Sequence, residues 1–274
     1  MSRQFLDEPF RSLWRDRDPH AAVETLRGEV FREREGRCTM RTEVCGRPYF
    51  VKIYRGIGWR EIFKNLLTLR LPVLGARNEW AAIKRLNQLG VATMRAVAYG
   101  KRGWNPARQH SFLITEALTP SISLEEYCQR WPQCPPAPAL KYALIRRVAD
   151  MARRLHEGGV NHRDFYLGHF LLHTDTPPTP DALRVSLIDL HRAQIRRRTP
   201  ARWRHKDLAG LYFSAMDIGL TRRDWLRFLR VYFPTPLRTT LTRERRRLRA
   251  LGRQAARLKL RYVRKFAPPP RQPQ

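Results

Sequence analysis

The hydrophobic period of this chain changes once, and that change limits the fold more than any other feature. Through Thr115 the apolar residues come in short alternating runs bounded by turn residues, whereas from Ser123 they recur at helical spacing. The first run, residues 30–34, ends in Glu35-Gly36-Arg37. The second, 39–44, ends in Cys45-Gly46-Arg47-Pro48, and the third, 49–54, is rich in β-branched and aromatic side chains. Three such runs in succession predict an antiparallel meander. Trp80, Ile83 and Leu86 then predict a helix over 77–89 with Gly90 at its end, and extended runs follow at 92–99 and 111–115.

The second part reads differently. A short helix over 124–131 gives way to a stiff connector holding Pro132, Pro135, Pro136 and Pro138. Leu140, Leu144, Val148, Met151 and Leu155 line one face of a long helix closed by Gly158-Gly159. Residues 170–172 and 185–188 read as a small hairpin, and helices are predicted over 206–218, 221–232 and 242–266. The expectation is an α+β protein. Residues 1–118 form an antiparallel-sheet part with an amino-terminal arm and one helix, 119–240 a mainly helical part, and 241–274 a basic amphipathic tail helix with a Pro-rich end.

Composition narrows the class. With 274 residues, 42% of them hydrophobic, the chain can bury a core. No stretch reaches the roughly 18 consecutive apolar residues of a membrane span, and the greasiest, 66–74, is broken by Arg70 and Pro72. Asp7 and Glu8 argue against a secretory signal, and Cys38, Cys45, Cys128 and Cys134 make no Cys-x-x-Cys pair, so reduced thiols in a cytoplasmic protein are expected. The formal net charge of +30, from 54 Lys+Arg against 24 Asp+Glu, calls for polyanionic partners. The tail helix sets Leu248, Leu251, Ala255, Leu258 and Tyr262 against dense Arg and Lys; it reads either as a solvated face packed on the body or as an anionic-membrane contact. Nucleic acid is disfavoured, because neither an aromatic stacking platform nor zinc-finger spacing accompanies the charge.

The sharpest local signal is His162-Arg163-Asp164, after the long helix. Asp189 ends a later strand, Lys52 lies on the third strand and Glu79 on the helix after it. In that order they match the protein-kinase layout, and the strand-then-helix order independently predicts the same bilobal fold. Phosphoryl transfer explains the set. Asp164 would accept or orient the proton of the attacking hydroxyl, Asp189 would hold Mg²⁺, and Lys52, fixed by Glu79, would bind phosphate oxygens of ATP. By position alone, the backbone from Glu116 to Leu118 would meet adenine.

Other residues stay open. Asp207 either braces the catalytic loop or is a helix-start carboxylate meeting the macrodipole. Arg163, Arg192 and Lys206 either meet an anionic substrate or are plain surface cations. His169 stands where the kinase pattern H-R-D-x-x-x-x-N has asparagine, so it either orients Asp164 or phosphate, or ligates metal atypically. The Gly-rich phosphate loop is reduced to Gly36, Asp189-Leu190-His191 replaces D-F-G, and no A-P-E segment follows. The missing A-P-E segment argues against a conventional regulated protein kinase.

With these residues the sequence resembles the lipopolysaccharide core heptose(I) kinases of Gram-negative bacteria. The likeness runs through 49–59, 71–80, Gly159-Val160-Asn161-His162-Arg163-Asp164, His169-Phe170-Leu171-Leu172, 188–194 and Lys206-Asp207-Leu208-Ala209, and covers the chain from about Phe5 to Phe233. It implies ATP- and Mg²⁺-dependent phosphorylation of the first inner-core heptose on its 4-hydroxyl. It also implies a lipid A–core acceptor on the cytoplasmic face of the inner membrane, and acyl carrier protein as an acidic partner. The rivals are a kinase-fold enzyme acting on a protein or soluble small molecule, and an inactive basic scaffold on membrane or nucleic acid. The intact Lys52, Glu79, Asp164 and Asp189 weigh against the scaffold.

Overall fold

A six-stranded antiparallel sheet organises the first part of the computed structural model, which describes residues 3–34, 36–56, 58–67 and 75–266. In chain order come β1 (Arg3–Leu6), α1 (Phe10–Leu13), α2 (Pro19–Thr25), β2 (Glu29–Arg34), β3 (Arg37–Val44) and β4 (Arg47–Tyr54). They are followed by α3 (Gly58–Leu67), α4 (Arg77–Gln88), β5 (Ala96–Arg102) and β6 (His110–Glu116), and the strand order is β1-β5-β6-β4-β3-β2. The expected meander is β2-β3-β4, and the expected helix is α4. Glu35 of the first turn and most of the 66–74 stretch lie outside the described residues.

The amino-terminal arm, polar in composition, is more structured than its sequence suggests. It supplies the edge strand β1, paired with β5, and two helices. Asp18 starts α2 by accepting the His20 N–H at 3.3 Å, with Pro19 in the first helical position. Phe10, Trp14 and Val23 from this arm pack with Val51, Ile53, Phe112 and Ile114 on one face of the sheet. Full burial of Phe10 and Phe112 contributes about 2 kcal/mol each.

Period-two alternation sends the next residue of β4 to the other face. Lys52 is in register with Leu113 of β6, which is in register with Tyr99 of β5. Helix α4 covers this face: the Trp80 ring stacks on Tyr99 with centroids 4.4 Å apart, and Ala82, Ile83 and Leu86 are buried.

Contacts divide the chain into two compact units, Met1–Thr119 with Leu187–Gln194, and Pro120–Ser186 with Ile195–Gln274. The second holds β7 (Ser121–Ser123), α5 (Leu124–Tyr127), α6 (Pro138–Glu157), β8 (Val160–Asn161), β9 (Phe170–His173) and most of β10 (Val185–Leu187). After β11 (Gln194–Ile195) come α7 (Ala201–Ser214), α8 (Arg222–Tyr232), α9 (Leu237–Arg243) and α10 (Arg245–Phe266). Of the expected stripe on α6, Leu144, Val148, Met151 and Leu155 are buried and Leu140 is half-buried. The hairpin expected from β9 and β10 gains β7 as a third strand.

Two helix expectations are corrected. The one over 124–131 ends at Tyr127, and the one over 206–218 begins five residues earlier, at Ala201, and ends at Ser214. Pro200 opens α7 with φ −61°, a start hidden by the Arg-rich run that follows it.

Candidate active site

In the first unit, three of the sequence-predicted residues meet. Lys52 Nζ lies 2.6 Å from Glu79 Oε1 and 3.9 Å from Asp189 Oδ1. Glu79 is 1% exposed and Lys52 14%, so the ion pair is largely withdrawn from water, while Asp189 keeps 32% exposure. Glu79 Oε2 has no partner among the described residues. The nearby Tyr54 hydroxyl is also buried without a partner, and burial, followed by the Glu79 charge, pushes its pKa up.

Asp189 is held from both sides along the chain. The Leu187 N–H donates to the Ala92 carbonyl at 2.9 Å, and Thr93 Oγ1 donates to the Leu187 carbonyl at 2.6 Å. After Asp189, a 3₁₀ turn over Leu190–Arg192 packs on α4 with Leu190 fully buried. Helix α4 therefore frames both acids, Glu79 in its first turn and Asp189 through the turn against it. Asp189 adopts a left-handed conformation (φ 61°), which aspartate tolerates better than most residues. His191 Nδ1 lies 2.5 Å from Asp189 Oδ1 and must be the donor to an ionised carboxylate.

The second unit builds the His162-Arg163-Asp164 loop around one buried carboxylate. Asp207 Oδ2 accepts the His162 N–H at 2.7 Å and Oδ1 the Arg163 N–H at 2.9 Å. His156 Nε2 lies 3.2 Å from Oδ2, and its Nδ1 meets the Tyr232 hydroxyl at 2.8 Å. Of the two readings of Asp207, the bracing one holds. Because α7 begins at Ala201, Asp207 lies in its second turn, not at its start. Arg163 has φ 78°, an uncommon state for a non-glycine residue, and the Asp207 bond to its N–H holds it there.

His162 is fully buried, and its ring stacks on His169 with centroids 5.6 Å apart. His169 Nδ1 donates to the Asp164 carbonyl at 2.6 Å, which ties His169 to the backbone of Asp164. As for a metal, no cluster of three or more His, Cys, Asp or Glu side chains suits one among the described residues. Mg²⁺ commonly takes one or two carboxylates and completes its shell with nucleotide phosphates and water, which the oxygen donors of Asp189 fit and an imidazole does not.

The remaining candidates separate. The Glu116 and Ala117 N–H groups are taken by the Arg95 and Pro48 carbonyls, and the Glu116 carboxylate by Arg95 at 3.1 Å. Gly36, in the turn between β2 and β3, has φ +74°, and a Cβ there would lie 2.3 Å from the Gly56 carbonyl oxygen. Its own carbonyl accepts the Arg55 N–H, so this glycine is explained by turn geometry. Arg192 sits on the first unit's turn, whereas Arg163 and Lys206 both reach the Trp203 ring of the second. Sequence reasoning missed His156, Thr93 and Trp203, and it met His191 only as a departure from D-F-G.

The tail helix divides along its length. Ala255 is buried, Tyr262 packs edge-on against Phe213 at 5.8 Å, and Lys259 pairs with Asp217. Towards its end Leu260, Val263 and Phe266 stay exposed. All four cysteines are free, and burial pushes the Cys128 thiol up to about 12.

The geometry has counterparts in known proteins. The model of the lipopolysaccharide kinase (Kdo/WaaP) family matches residues 21–232. The lipopolysaccharide core heptose(I) kinase WaaP of Pseudomonas aeruginosa is 62% identical over 256 residues, 93% of this chain and 96% of that protein. WaaP of Escherichia coli is 54% identical over 260 residues, 95% of this chain and 98% of the relative. A solved structure of WaaP in complex with acyl carrier protein superposes with a TM-score of 0.84 at 57% identity, covering 93% and 99% of the two chains.

Proposed function

Because the chain belongs to the lipopolysaccharide kinase (Kdo/WaaP) family and is a phosphotransferase, we propose that it transfers the γ-phosphoryl group of ATP to the 4-hydroxyl of the first heptose of the lipopolysaccharide inner core. The observation that carries this reading is the Lys52 ammonium shared between Glu79 and Asp189. Glu79 aims Lys52, whose remaining hydrogen-bonding capacity goes to nucleotide phosphate oxygens. Asp189 is the carboxylate for Mg²⁺, which when bound neutralises charge on the phosphates. Adenine contacts fall to the Glu116 carbonyl and the Leu118 backbone, since the Glu116 and Ala117 N–H groups are spent.

Asp164 accepts or orients the proton of the attacking heptose hydroxyl. His162 and Arg163 contribute through the backbone that Asp207 fixes, and His169 positions Asp164 through its carbonyl. Little covalent work falls to the protein; orientation and charge stabilisation supply the rate.

The acceptor in this reading is a lipid A–core glycolipid, so the protein acts peripherally on the cytoplasmic face of the inner membrane. No helix of the described residues is long and apolar enough to cross a membrane. The end of α10, with Leu260, Val263 and Phe266 exposed beside Arg261, Arg264 and Lys265, suits an anionic bilayer surface. Acyl carrier protein is the proposed protein partner: a homologue's structure contains it, and an acidic protein complements the +30 charge.

The test is phosphate incorporation from ATP into purified heptose-containing acceptor, located by mass spectrometry. Asp164→Ala lowers the rate by about 10³-fold or more. Phosphorylation of soluble sugars or proteins with none on the glycolipid refutes the assignment.

A further inference from the structure

Helix α3 carries an apolar stripe that is open to solvent. Trp59, Phe63 and Leu67 recur at four-residue spacing, so they share one face and span about 12 Å along the axis. They are 48%, 57% and 85% exposed, whereas Ile62 on the same helix is buried. The Trp59 and Phe63 rings lie 5.9 Å apart at an angle of 30° and form one aromatic surface.

The stripe is held at both its start and its middle. The Gly58 N–H donates to the Ala107 carbonyl at 3.0 Å, which pins the start of α3 four residues after β4 ends. Gly56, at φ +88°, permits this approach, since a Cβ there would lie 2.4 Å from the same carbonyl oxygen. Ile62 fastens the middle of the helix by its burial. Large apolar side chains gathered in one exposed row mark a contact with something apolar.

Size and charge select the occupant. Three side chains fall well short of the roughly 800 Å² that each partner of a stable dimer buries, which disfavours a second copy of the chain. Residues 58–77 carry Arg60, Lys64, Arg70 and Arg77 against Glu61 alone, in a chain of net charge +30, and this complements an anionic surface. Trp, Phe and Leu on one face with basic residues beside them suit a helix lying in the plane of a lipid interface, with indole at headgroup depth.

We propose that α3 docks the first unit on an anionic bilayer by inserting Trp59, Phe63 and Leu67 at the boundary between headgroups and acyl chains. This deepens the kinase reading and rests on it, because a glycolipid acceptor is what brings a bilayer to this protein. The strand that carries Lys52 leads directly into α3, so the contact ties that strand to the surface in which the acceptor is embedded.

The test is sedimentation of the full chain with vesicles of phosphatidylglycerol and phosphatidylethanolamine, without acceptor or ATP, comparing wild type with Trp59→Ser/Phe63→Ser. Both side chains are exposed, so the melting temperature holds while partitioning falls about thirtyfold. Vesicles with brominated acyl chains give a second measurement: they quench the tryptophan fluorescence of wild type more than that of Trp59→Phe. Equal partitioning of wild type and the double variant overturns the docking surface, as does quenching unaltered by Trp59→Phe. A double variant that loses affinity for acyl carrier protein while keeping its vesicle binding also overturns it, and gives the face to a protein. A wild type that docks through α3 but leaves heptose-containing acceptor unphosphorylated refutes the proposed reaction and leaves the docking surface standing.

Discussion

The two halves of the candidate machinery are held by opposite means. In the first unit a buried carboxylate, Glu79, is matched by a single ammonium, and its second oxygen is left without a partner among the described residues. In the second unit an equally buried carboxylate, Asp207, takes two backbone N–H groups and the ring of His156. The first arrangement keeps charge available, because an ammonium bound on one side still presents donors elsewhere. The second spends its charge on shape, turning one side chain into a brace for a loop. Phosphate binding needs the former and hydroxyl positioning the latter.

The comparison breaks first at Asp207. Asp207→Ala leaves the buried His162 N–H and the part-buried Arg163 N–H unsatisfied at about 1–3 kcal/mol each and removes the His156 partner, a total loss of about 4 kcal/mol. For a chain of this size that is roughly a 10 °C fall in melting temperature. Calorimetry checks it; an unchanged melting temperature shows that the loop holds its form without the brace.

Lys52→Met probes the other half. It leaves Glu79 buried and unpaired, at a cost of about 3 kcal/mol. Lys52→Met/Glu79→Leu regains most of that stability, since an apolar pair replaces an ion pair, but not phosphoryl transfer. Thermal melts and activity assays together separate the two effects. Recovery of activity in the double variant contradicts a phosphate-binding role for Lys52.

Acid sharpens the contrast by acting on the first unit away from its charge pair. Burial, followed by repulsion from His110, pushes His20 from 6.5 down to about 4, and the two rings touch at 2.7 Å between Nδ1 atoms. In that window the unfolded chain binds the extra proton, so stability is full above pH 6.5 and falls as the pH drops towards 4. The loss approaches about 3 kcal/mol, and His20→Gln flattens it in melting curves recorded across the window. A slope unaltered by the substitution assigns the acid sensitivity to other groups.

What the sequence disclosed follows the range of the forces involved. The β2-β3-β4 meander was legible because Gly36 and Gly46 mark its turns and alternation fixes which face carries Lys52. The order of Lys52, Glu79, Asp164 and Asp189 pointed to their chemistry without showing how they are held. Edge strand β1 was hidden because its pairing with β5 joins residues nearly a hundred positions apart, and polar composition masked the helices beside it. The function of Asp207 escaped a firm reading because its donors are main-chain groups, which carry no residue signature. Trp203 went unnoticed because the start of α7 was misplaced, and with it the face on which the cations meet.

The smallest effect is the most discriminating. Thr93 Oγ1 donates to the Leu187 carbonyl, two residues before Asp189. Thr93→Val keeps shape and removes that donor, costing about 1 kcal/mol, because the carbonyl loses one bond from an otherwise intact parallel bridge. If the first unit works by keeping charge in position, this loosening of Asp189 weakens apparent affinity for Mg²⁺-nucleotide several-fold, while acceptor affinity holds. Nucleotide and acceptor titrations on the same variant read both quantities. A change confined to the acceptor would place Asp189 on the side of the site that orients the hydroxyl, and would undo the division of labour between the two carboxylates.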